Sequence, residues 1–130
     1  MAASDAAPHL PHLPQLVPID AYGKGGFAFA GMSHRGSLLC LPSGLWAWPV
    51  TSTAGVDEAA LAPVFAAAAD IDLFILGTGK DPWFMPPALR TRFAAANVVA
   101  DVMTTGPAVR TYNILLGERR RVAAGLIAVE

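Results

Sequence analysis

LFILGTGKDPWFMP, residues 73 to 86, runs four apolar residues straight into Gly77-Thr78-Gly79-Lys80 and then into an aromatic loop bounded by prolines. The apolar run reads as a buried strand over residues 72–77 and the glycines as the turn it delivers. PPALRTRFAAAN follows at 86–97. Proline in its first turn, Leu89 and Phe93 on one face, and Asn97 as the cap predict a helix. VVADVM at 98–103 is the next strand. One crossover helix between two strands demands a parallel, right-handed pair.

A further helix starts at Thr104 or Thr105, with Pro107 near its first position. Its Ala108, Val109, Tyr112, Leu115 and Leu116 form one apolar stripe, and Gly117 ends it. RVAAGLIAV at 121–129 is apolar without alternation, as a central strand covered on both faces should be.

Upstream, the runs PIDAYG, GGFAFAG, SLLCLP and LWAWPV each end at glycine or proline. They predict a β-meander over 17–50, with HRG at 34–36 and PSG at 42–44 as turns. Trp46 and Trp48 point to one face of their strand, for packing or for a partner. A short helix is expected to about Ala68, starting near Ala62 with Pro63 in its first turn. The whole reads as one α/β domain over 17–130 with a mixed central sheet: a β-meander, then β-α-β-α-β. Residues 1–16 read as a disordered, solvated tail that holds His9 and His12.

The glycine turn raises the question of a nucleotide. A GxxxxGK[ST] loop needs glycine six residues before its lysine, where this chain has Phe74, and Ser or Thr after it, where this chain has Asp81. The GxGxxG pattern begins at Gly77 and Gly79 but meets Pro82 at its third glycine. Both motifs fail. What survives is a small-anion edge. Two parallel strands would bring the turn after each to the same carboxyl edge, where open α/β sheets bind ligands. The candidates there are Gly77, Gly79, Lys80, Thr104, Thr105 and Arg110. Arg110 is notable because a cation in a first helical turn opposes the helix dipole. The alternative is that the glycines make tight turns, the threonines cap, and Arg110 bridges to Asp101.

The second candidate is Trp83, Phe84 and Met85, the apolar centre of the loop. Aromatics and methionine are enriched at protein interfaces. The competing reading is a lid folded back over the core.

Other chemistry finds no residues. GMSHRG at 31–36 has Arg35 where a nucleophile elbow needs glycine. Cys40, the one cysteine, lies in an apolar run, as a core thiol would, and His34 falls in an expected turn. No spacing resembles a metal site, and no cofactor is expected. Net charge is −1, and the three arginines at 119–121 are too few for a nucleic-acid stripe. The apolar stretch 61–77 is broken by Asp70 and Asp72, so no membrane span is expected. Hydrophobic residues make up 54% and charged residues 15%, which requires extensive internal burial or a partner.

ILGTG at 75–79 and MTTGPAVRTYNILLGERRRVAAGLI at 103–127 resemble the family catalogued as domain of unknown function 498. The likeness covers about residues 17 to 129. Arg110-Thr111-Tyr112-Asn113, with Glu118, Arg121 and Val122, is its most specific part. The resemblance implies a compact α/β fold with a mixed sheet and no established catalytic residues. Mitochondrial members act in assembly of respiratory complex I with other assembly proteins. Here Gly106-Pro107 precedes Ala108 where more alanine is expected, and the N-terminus shows no transit peptide. The expectation is a bacterial cytoplasmic protein without catalytic turnover, an interaction domain or assembly factor with a protein partner or a second copy. The anion edge, in a binding domain or an enzyme, is the alternative.

Overall fold

The computed structural model describes residues 12–130. Strands β1 (Ala21–Gly23), β2 (Gly26–Phe29) and β3 (Met32–Arg35) form a small antiparallel sheet. Strands β4 (Ser37–Leu41), β5 (Gly44–Trp48), β6 (Leu73–Gly77), β7 (Val99–Met103) and β8 (Val122–Leu126) form the main sheet in the order β5-β4-β8-β6-β7. β6 runs parallel to both β7 and β8, while β4 runs antiparallel to β5 and β8. The fold is α/β with a mixed central sheet, and β8 lies in the middle of it. The meander divides between the two sheets. Gly36, at φ +98, makes the break, so His34 and Arg35 end β3 and are not turn residues.

Helices α1 (Ala62–Ala66) and α2 (Pro87–Ala95) cover one face of the main sheet, and α3 (Thr105–Gly117) with the small sheet covers the other. Alternation assigns the side chains. Leu39, Leu41, Phe74, Leu76 and Ala123 face α1 and α2, while Leu38, Cys40, Ile75, Ala124 and Leu126 face α3. Strands buried on both faces read as unbroken apolar runs. On the first face Phe93 of α2 stacks on Phe74, with ring centroids 5.4 Å apart, and tilts against Phe65 at 4.8 Å.

Local chemistry sets the helix ends. Pro63 and Pro87 sit in first turns, where a missing N–H costs nothing. Asn97 stands one residue beyond the α2 cap at φ +61; its N–H reaches Ala94 O and that of Val98 reaches Phe93 O. The same pair of bonds closes α3 at Arg119, φ +61, a position where glycine is usual.

Residues 1–11 of the expected tail, with His9, lie outside the described residues. His12 and Leu13 lie on the sheet: His12 N–H donates to Leu45 O and Leu45 N–H to Leu13 O. The His12 ring lies 4.6 Å from that of His34, which is half-buried with Nε2 2.9 Å from Ser37 O. Burial and the neighbouring His34 push His12 below the usual histidine range.

Two expectations follow. A Cβ on Gly125 would stand 2.8 Å from Trp48 Cη2 and 3.0 Å from Phe74 Cζ. Trp48 has little freedom to yield, since its indole N–H donates to Ala60 O. Gly125→Ala should therefore cost about 1–3 kcal/mol in a urea unfolding curve. Burial pushes the Cys40 thiol from 9.0 up to about 12, and burial likewise raises Tyr112 beside it. Above pH 9 the unfolded chain loses protons that the folded chain keeps, so stability falls as pH rises. The urea midpoint should decline from about pH 9 toward pH 12, by at most about 1.4 kcal/mol per pH unit from the thiol. Cys40→Ala should move the onset up toward the titration range of tyrosine.

Candidate functional site

The carboxyl edge of the three parallel strands is where the sequence points first. Gly77 closes β6, and Ile127 N–H donates to its carbonyl. Gly79 takes φ +94, reserved in practice for glycine. Its N–H donates to Thr105 Oγ1 at 2.9 Å, while Thr105 N–H donates to Gly79 O, also at 2.9 Å. The Thr105 hydroxyl then donates to Ile127 O at 2.7 Å. A Cβ on Gly77 would stand 3.1 Å from Ala108 Cβ and from Thr105 Cα. The glycines let the first turn of α3 close onto the sheet.

The structure thus ties Gly77, Gly79 and Thr105 together, while the side chains of Lys80, Thr104 and Arg110 take no part in that tie. Thr104 is the N-cap of α3 by position but makes no side-chain capping bond, and neither does Thr105. Lys80 is exposed on the turn. Arg110 is exposed and borders a separate depression with Asp20, Tyr22 and Asn113. Among the described residues neither Arg110 nor Asp101 forms an ion pair.

The segment Arg110–Asn113 has a structural role. Asn113 Oδ1 accepts from Ile19 N–H and its Nδ2 donates to Ile19 O, both at 2.8 Å. Tyr112 O–H donates to Val17 O at 2.8 Å. These residues pin the entry of the chain onto α3. Arg121 pairs with Asp72 at 2.8 Å, and that hydrogen bond holds the Asp72 carboxyl below its usual range. The Cys40 thiol is fully buried and stays protonated at neutral pH, so it is no nucleophile. Among the described residues no group of three metal-ligating side chains occurs.

The aromatic loop separates into three environments. Met85 is 2% exposed and packs in the core, Trp83 is half-buried, and Phe84 is 88% exposed. Met85 O accepts from Arg90 Nε at 3.1 Å, which ties the loop to α2. Trp83, Phe84 and Arg90 border a trough of about 430 Å³ whose floor is Ala100–Thr104. A second trough of about 380 Å³ continues past Arg90 along Val98, Val99 and Ala100. Together they follow the whole of β7, an outer strand of the main sheet. Sequence reasoning identified the loop and missed the edge beside it, because strand order depends on long-range pairing. It also missed a larger apolar trough of about 630 Å³ between Trp46, Trp48 and α1, although the two tryptophans on one face were its signal.

Thr105→Val keeps the shape of the buried tie and orphans Gly79 N–H and Ile127 O. It should cost about 2–4 kcal/mol in chemical unfolding, whereas Thr105→Ser should recover most of it.

A protein of Rhodopseudomonas palustris solved by NMR is 58% identical, with TM-score 0.82, over 92% of this chain and 89% of that one. A crystal structure described as an outer membrane protein from Bartonella henselae is 44% identical, with TM-score 0.87, over 92% of this chain and 100% of that one. NADH dehydrogenase [ubiquinone] 1 alpha subcomplex assembly factor 3 of Mus musculus is 28% identical over 114 residues, which are 88% of this chain and 62% of the mouse protein. Residues 19–127 match the family model described as "Protein of unknown function (DUF498/DUF598)", and the chain belongs to that family.

Proposed function

We propose that this chain is a non-enzymatic interaction module that docks a protein partner through Trp83 and Phe84, on the loop that buried Met85 anchors in the core, in the assembly of a respiratory or membrane complex. The observation that carries the docking is Phe84. A large aromatic side chain stands 88% exposed on a loop whose next residue, Met85, is fixed in the core. An anchored loop that presents one free aromatic beside a trough has the form of a binding hot spot. The assembly role is supported by the mouse relative, which is named as an assembly factor. Kinship of fold is a stronger warrant for architecture than for role, so the role stands on the experiment below.

We assign the chain no catalytic residue and no cofactor. A small-anion site at Gly77, Gly79, Lys80, Thr104, Thr105 and Arg110 has less support. Its central donors, Gly79 N–H and the Thr105 hydroxyl, are already committed to one another and to Ile127. We place the protein in the bacterial cytoplasm, and no helix among the described residues is long and apolar enough to cross a membrane. Cell fractionation decides between that placement and the envelope, to which the name of the Bartonella relative points.

The test is purification of the tagged protein from its own host, beside Phe84→Ala and the Trp83→Ala/Phe84→Ala double variant. Phe84→Ala should leave stability within about 0.5 kcal/mol, since its side chain is in solvent. A component of a respiratory or membrane complex should co-purify, and its affinity should fall at least about tenfold in the double variant. Full retention by the double variant would remove the loop from the interface. Recovery of partners unrelated to such complexes would remove the assembly role.

A further inference from the structure

β7 is an open edge. Val99 N–H donates to Asp72 O, and Met103 O accepts from Thr78 N–H. Successive residues of a strand turn their backbone groups to opposite sides, so Val99, Asp101 and Met103 address β6. The N–H and C=O groups of Ala100 and Val102 therefore point away from the sheet. Among the described residues nothing pairs with them. The β6–β7 register runs through five successive pairs, with no bulge to twist the edge away. β7 contains no proline, and Asp101 is its only charge.

The other edges are protected. β5 is bridged by Leu13 at Leu45, and Pro49 follows its end. β3 carries Ser33, His34 and Arg35, and β1 has only three residues. β7 presents Val99 at 65% exposure and lies beside exposed Phe84. Arg90 overlooks the middle of this edge. Only its Nε is engaged, with Met85 O, and it forms no ion pair among the described residues.

We infer that β7 accepts a sixth strand from the partner: an extended segment that hydrogen-bonds Ala100 and Val102, sets an acidic side chain at Arg90, and lays apolar side chains in the trough of Trp83 and Phe84. The inference rests on the docking face proposed above and names what occupies it. Backbone pairing supplies affinity in such strand addition, and side-chain pockets supply selectivity. A second copy fits less well. The two-fold pairing that uses both Ala100 and Val102 would set Asp101 directly opposite its own copy, and like charges facing across strands destabilise a ladder.

The test uses the whole protein and an acetylated octapeptide that alternates valine with glutamate. Controls are the same peptide methylated on alternate backbone nitrogens, and a valine–threonine peptide. Amide hydrogen exchange is read by NMR residue by residue. Without peptide, Ala100 and Val102 should exchange fast while Asp101 and Met103 are protected. With peptide, exchange at Ala100 and Val102 should slow by about tenfold or more. The methylated peptide should have no effect. Phe84→Ala should weaken the response to the octapeptide. Arg90→Gln should weaken it too, but should leave the valine–threonine peptide unchanged. Protection of Ala100 and Val102 in the free protein, rising with its concentration, would make the second copy the occupant and overturn the inference. So would no slowing at these amides with either unmethylated peptide. If a co-purified partner still depends on Trp83 and Phe84 while the two amides stay fast in its complex, docking at the loop stands and strand addition falls.

Discussion

One buried hydroxyl holds the end of the sheet. Thr105 Oγ1 accepts from the turn after β6 and donates to the chain leaving β8, while its own backbone N–H binds Gly79 O. The first turn of α3 is thereby locked against two parallel strands at once. Three arrangements depend on it: the left-handed Gly79, the bare Gly77 under Ala108, and the seating of α3 on the sheet. A buried polar group of this kind is worth little when satisfied but is expensive to orphan. That asymmetry gives the glycine-rich turn a structural task, whatever its look as a ligand loop: it seats the first turn of α3 on the sheet.

Burial supplies the rest of the stability. The ion pairs Arg92–Glu58 and Arg121–Asp72 both stand in solvent, where screening and side-chain entropy leave such pairs little to contribute. Small residues in β8 let large ones cross it: Gly125 makes room for Trp48 and Phe74. A main sheet sealed on both faces accounts for most of the high apolar content. Of the large hydrophobic side chains left exposed, Phe84 and Val99 lie along the same edge strand.

The second half of the fold was legible because each element advertises itself locally. Proline stands in the first turn of both α2 and α3, and periodicity separates helix from strand. The parallel pairing of β6 with β7 follows from the single helix between them. The N-terminal half was less legible. Four short runs bounded by turns look alike whether they join one sheet or two, and only Gly36 decides it. His34 reads as a turn residue until the chain closes and puts His12 against it. The loop at Trp83–Met85 was legible as apolar sequence in a connecting segment. Its division into an anchor and a free aromatic required the core into which Met85 inserts. For the threonines, spacing identified a helix start, but the bonding partners lie on other strands, far along the chain.

The open strand also bears on life without a partner. At pH 7 the chain carries a net charge of −1, so copies barely repel one another. An unpaired edge with little repulsion behind it is a nucleus for assembly of the wrong kind, because any exposed strand can add to it. A partner strand of the kind proposed above would shield this edge as well as bind it, and molecules made in excess of such a partner would be the ones that leave it exposed.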